Sequence, residues 1–91
     1  MTDKRESQRI QDEIRQVLLK NWDPIDIKDE PLAQGEYDMY IPGVFTLLTE
    51  NSSDEEISAY LWKIIEERIH RHPPRGATEE TVRALRKIRL A

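Results

Sequence analysis

Ser53-Asp54-Glu55-Glu56-Ile57-Ser58-Ala59-Tyr60-Leu61-Trp62-Lys63-Ile64-Ile65-Glu66-Glu67-Arg68-Ile69 carries the clearest structural instruction in the chain. Its first four residues form a capping box. The Ser53 hydroxyl can accept from the Glu56 amide while the Glu56 carboxylate reaches back, and three carboxylates stand at the positive end of the helix dipole. Behind the cap, Ile57, Tyr60, Leu61, Trp62, Ile64, Ile65 and Ile69 recur at helical spacing and sweep about 200° of the helix surface. That arc is wider than a surface helix needs, so this helix must touch at least two others and form the centre of a core. Arg68 projects into the middle of the arc, where it must either snorkel to solvent or pair with an acid from elsewhere.

Upstream, Tyr37, Tyr40, Ile41, Val44, Phe45, Leu47 and Leu48 repeat the helical spacing around the breaker Pro42-Gly43. Proline is comfortable in the first turn of a helix and costly inside one. The pattern therefore predicts a short turn over 36–41 and a helix over 42–50, ended by Asn51. Further back, Ile10, Ile14, Val17 and Leu18 mark one face of a first helix over 5–21, with Leu19 on the far side and expected to be covered by another segment. Between these helices lies Trp22-Asp23-Pro24-Ile25-Asp26-Ile27, followed by Lys28-Asp29-Glu30-Pro31-Leu32-Ala33-Gln34-Gly35. This segment, with its breakers and no period, predicts a long loop at 22–35, tied down by Trp22 and Ile25. Downstream, His70 to Gly76 stops the central helix. Thr78, with Glu79 and Glu80 behind it, predicts a cap for a last helix running to about Leu90 with Val82, Leu85 and Ile88 on its apolar side. The expected fold is all-α: a small bundle of three main helices plus a C-terminal fourth, in one domain over 1–91 with loose ends at 1–6 and 89–91.

Composition narrows the function classes. The chain has 91 residues, 37% of them hydrophobic, and no cysteine. No disulfide, thiolate metal site or thiol nucleophile is available, and a reducing cytoplasm is the default compartment. No stretch reaches the ~18 apolar residues of a membrane span, and no apolar run follows the charged start, so no membrane association is expected. The net charge of −4 is unevenly laid out. Residues 1–21 carry 5 basic and 4 acidic side chains, residues 22–62 carry 1 and 10, and residues 63–91 carry 8 and 4. The acidic middle and the basic end either pair on folding or offer two surfaces of opposite sign.

The blocks Trp22-Asp23-Pro24-Ile25 and Glu36-Tyr37-Asp38-x-Tyr40-Ile41-Pro42-Gly43-Val44, with Leu47-Leu48 and the capped helix ending in Trp62-x-x-Ile65-Glu66, carry a likeness over residues 10–67. The chain resembles a group of small bacterial helical proteins built around a Trp-Asp-Pro-Ile-Gly block and an Asp-Glu-Tyr-Asp block. It departs from that pattern at Asp26, where the group has Gly, and at Gly35, where the group has an acid. The resemblance implies a helical fold and no activity. Some members of the group look like immunity or accessory partners of other proteins.

The richest cluster of candidate functional residues is Trp22, Asp23, Asp26, Asp29, Glu30, Glu36, Tyr37 and Asp38. Carboxylates crowded among aromatics can accept a basic protein surface, hold a hard cation such as Mg²⁺, Mn²⁺ or Ca²⁺, or carry one raised pKa for acid-base work. The Asp23-x-x-Asp26-x-x-Asp29 spacing does not fit a calcium loop, so a basic protein partner is the leading expectation, with no cofactor, no bound metal and no catalysis. In the plain structural reading, Asp23 caps a turn and the aromatics belong to the core. A different class of function rests on Arg71, Arg75, Arg83, Arg86 and Lys87, which could track phosphates; no aromatic in 66–91 is there to stack on a base, so nucleic acid comes second. A metal or catalytic site in the acidic loop comes third. His70-x-His72 offers two imidazoles but no third ligand, and histidine is ordinary at a helix C-terminus. The hydroxyls Ser52, Ser53 and Thr78 fall at helix starts, where capping accounts for them. A thin core and the stray Leu19 and Leu90 allow a homodimer without requiring one, so monomer and homodimer are both open.

Overall fold

The computed structural model describes residues 4–23, 31–69, 73 and 76–90, with backbone alone for 31–34, 36 and 69. The chain forms α1 (Lys4–Val17), a π-helical turn (Leu18–Trp22), a 3-10 helix (Pro31–Tyr40), α2 (Ile41–Thr49), α3 (Asp54–Ile64), a second π-helical turn (Ile65–Ile69) and α4 (Ala77–Arg86), with no strand among the described residues. It is an all-α bundle. α1 packs on α2 and α4, and α3 packs on α2 and α4. Ile10, Ile14 and Leu18 are buried on one side of the core, facing Ile41, Val44, Leu48, Ile57, Leu61, Ile64, Ile65, Val82 and Leu85. Burying each such aliphatic side chain is worth about 1.5–3 kcal/mol.

The α3 cap forms as its sequence dictates. Ser53 is extended (φ −71°, ψ 162°), its hydroxyl accepts from the Glu56 amide at 3.1 Å, and its own amide donates back to the Glu56 carboxylate at 3.4 Å. α2 ends in a Schellman motif. Asn51 takes the left-handed conformation (φ 58°), its amide donates to the Leu48 carbonyl at 3.1 Å, and the Ser52 amide donates to the Leu47 carbonyl at 3.0 Å.

Several boundaries differ from expectation. The first helix is α-helical only to Val17 and finishes in a π turn, closed by the Asp23 amide donating to the Leu18 carbonyl at 2.8 Å. The wider turn brings Leu18, Leu19 and Trp22 all into the core, and this turn lies against α4. Leu19 is thus covered, at 5% exposure. The second half of the expected 22–35 loop is the start of the 3-10 helix, and 24–30 lie outside the described residues. α2 begins at Ile41, so Pro42 sits in its first turn but not at its first position. Trp62, expected in the core, is 38% exposed. α4 begins at Ala77 behind the left-handed Gly76 (φ 81°), which leaves Thr78 inside the first turn with its hydroxyl buried and lacking a partner among the described residues. It ends at Arg86, not near Leu90, because the Lys87 and Ile88 amides tighten onto the Ala84 and Leu85 carbonyls, both at 3.1 Å. The Arg89 carbonyl is instead taken by the Arg9 guanidinium at 2.6 Å.

α2 and α3 approach closely at Gly43. A Cβ at that position would run into the hydroxyl and ring of Tyr60. The glycine that looks like a breaker in the sequence is a packing requirement in the fold.

Candidate functional site

Trp22 closes the first π turn and is fully buried. Its ring meets Tyr37 at a centroid distance of 5.5 Å and a tilt of 54°, and meets Tyr40 edge-on at 6.4 Å and 88°. These are favourable aromatic geometries, each worth about 0.5–1.5 kcal/mol beyond the area buried. Its Nε1 has no acceptor among the described residues. Asp23, the next residue, is left-handed (φ 32°, ψ 61°), and its Oδ1 accepts from the Tyr37 hydroxyl at 2.8 Å. Tyr37 is itself buried, held by the 3-10 helix.

One residue on, Asp38 takes a forked contact from Arg15 of α1, at 2.8 Å to Nε and 3.3 Å to Nη2. The Arg15 guanidinium also reaches Asp12 at 3.1 Å. Its pKa is raised above the ordinary value, first by the hydrogen bond to Asp38. A ten-residue 3-10 helix is unusual, because its hydrogen bonds are poorly aligned. Here Tyr37 anchors it to the core and Asp38 anchors it to α1.

Four of the eight acidic-cluster candidates are therefore placed. Trp22 and Tyr37 are core residues, and Asp23 and Asp38 make contacts that hold the fold. Asp26, Asp29 and Glu30 lie outside the described residues, as does the side chain of Glu36. Among the described residues, no three acids or histidines converge as a metal would require. His70 and His72 lie outside them.

The basic candidates are divided as well. Arg86 donates through Nε to Asp54 at 2.6 Å and through Nη2 to the Ser52 carbonyl, tying α4 to the start of α3. Arg83 on α4 and Lys87 just past its end are exposed, and Arg71 and Arg75 lie outside the described residues. The acidic segment thus supplies internal partners to basic residues at both ends of the chain. Among the described acids of that segment, Glu50 and Glu55 stand exposed at the α2–α3 corner, beside Glu56, whose carboxylate closes the α3 cap.

Two concavities escaped the sequence reading. One is an open groove of about 800 Å³ between α1 and α4, with Val17, Ala84 and Ile88 below and Arg9, Asp12 and Lys87 along the edges. The other is a hollow of about 370 Å³ at the far end of α3, lined by Tyr40, Tyr60 and Lys63 among others. Arg68 was its one sequence signal. No helix among the described residues is long and apolar enough to cross a membrane.

The chain matches no protein-family model, no curated protein and no solved structure.

Proposed function

We propose that this chain is a non-catalytic protein-binding module, of the accessory or immunity-like kind, that meets a basic partner surface through its acidic middle segment. One observation supports the reading. Segment 22–62 holds ten acids against one base, and the described acids divide between those that hold the fold, Asp23, Asp38 and Asp54, and those that stand exposed at the α2–α3 corner. Exposed like charges without an ion pair, as at Glu50 and Glu55, are placed to steer an oppositely charged partner. The lack of cysteine fits a reducing cytoplasm as the place of action.

The test is affinity capture from the source cell's lysate, with nuclease, at low and moderate salt. A discrete protein retained after nuclease, and lost when Asp26, Asp29, Glu30 and Glu55 are made neutral, is the expected result. Capture of nucleic acid alone, or capture unchanged by the neutral variant, contradicts the reading.

A further inference from the structure

Arg68 falls in the second π turn, and that turn carries it, with Glu67, to the rim of the hollow at the end of α3. Lys63 stands on the same rim, and neither cation has an ion pair among the described residues. Its lining is mixed, with Tyr40, Tyr60 and Ile64 supplying apolar surface beside Lys63, Glu67 and Arg68. At its lip Met39 is 64% exposed, a large apolar side chain in water where the core has no use for it. Unlike the acidic corner, this hollow combines shape, some apolar surface and charge that has no ion pair among the described residues. π turns also recur at functional sites, because the extra residue re-aims the side chains around it.

The chemistry of an occupant follows. A partly apolar hollow bordered by two cations that have no ion pair among the described residues favours an apolar group with a carboxylate beside it. Two cations and Glu67 leave one net positive charge, which suits one carboxylate and is too little for the dense charge of a phosphate backbone. The volume lies at the small end of the ~300–1,000 Å³ of ligand sites, so it fits a single large side chain and its neighbour. Methionine at the lip is flexible and polarisable, able to pack on side chains of different shape. We infer that this hollow docks a short segment of a partner protein that presents a large apolar residue beside one acidic residue. The surface is opposite in sign to the acidic corner and lies at the other end of α3, so the inference stands apart from the function proposed above.

Selection of short random peptides displayed on phage against the whole chain tests it. The expected result is enrichment of sequences with Leu, Ile, Met, Phe or Trp next to Asp or Glu. A synthetic peptide of the enriched sequence should bind at low salt and lose roughly tenfold or more in affinity to the Lys63→Glu, Arg68→Glu double variant. Met39→Ala should weaken it too, while Lys87→Glu just past α4 should leave it unchanged. All the substituted side chains are exposed, and unchanged helical circular dichroism confirms that each variant folds. No enrichment, an enriched sequence without an acid, or affinity unchanged in the double variant overturns the inference. So does a concentration-dependent dimer that the double variant abolishes while no peptide is enriched, since the hollow would then belong to a second copy.

Discussion

Gly43 shows how much can hang on one absent methyl group. The Tyr60 ring occupies the place a Cβ would take, and overpacking of that kind costs about 1–3 kcal/mol. Urea unfolding of Gly43→Ala should show a loss in that range, relieved in part when Tyr60→Phe removes the clashing hydroxyl. The same tyrosine gives the chain an alkaline limit. Its hydroxyl is pushed up from the ordinary 10.0, first by burial and then by Tyr40. The unfolded chain releases this proton first, so the stability it protects is intact below about pH 10 and is lost as pH rises toward the native value. Unfolding midpoints measured between about pH 9 and 11 should fall more steeply for the native chain than for Tyr60→Phe. Neither role was legible in the sequence, where Pro42-Gly43 reads as punctuation and Tyr60 as one more apolar position. The first depends on a contact between residues 17 apart and the second on burial beside Tyr40, 20 positions away, and no local pattern encodes either.

The helices divide along the same line, between what a few neighbouring residues fix and what distant packing fixes. The α3 cap is local and was readable from four residues; Ser53→Ala should cost about 1 kcal/mol in chemical denaturation. The end of α2 was readable too, because Asn51 is among the few residues at ease in a left-handed turn. The π turn after α1 was not. It exists because Leu18, Leu19 and Trp22 all find cover, and that cover comes from α4 and the 3-10 helix. The chain beyond α4 is likewise tied from a distance, the Arg9 guanidinium donating to the Arg89 carbonyl eighty residues away. The 3-10 helix is the least self-sufficient element, and Arg15 is its tether to α1. Hydrogen exchange of Arg15→Gln should quicken over residues 35–40 and leave α3 unchanged, with a global loss of only about 0.2–1 kcal/mol, since both partners are partly exposed. Equal quickening throughout the bundle would show that the tether holds the whole fold.

In the folded chain the uneven charge resolves into internal ties and outward surfaces. The sequence offered pairing and display as alternatives, and both are present. Arg15 with Asp38 and Arg86 with Asp54 draw the basic ends onto the acidic middle, while Glu50 and Glu55 face water and Lys63 and Arg68 rim a hollow. The all-α class was legible because helical periodicity survives in every main segment. The candidate site was legible only as a list of residue types, because proximity in sequence could not separate acids with a partner in the fold from acids without one. The deciding comparison puts Tyr37→Phe, Asp38→Asn beside Glu50→Gln, Glu55→Gln, with thermal unfolding and partner capture measured on the same samples. The first pair should lower the melting temperature by about 5 °C or more and keep capture below that temperature. The second should shift melting by less than the first, Glu55 giving up only its interaction with the α3 dipole, and lose capture. The opposite pattern, with capture lost in folded Tyr37→Phe, Asp38→Asn and retained in Glu50→Gln, Glu55→Gln, would place function in the Trp22–Tyr37 cluster and contradict this account.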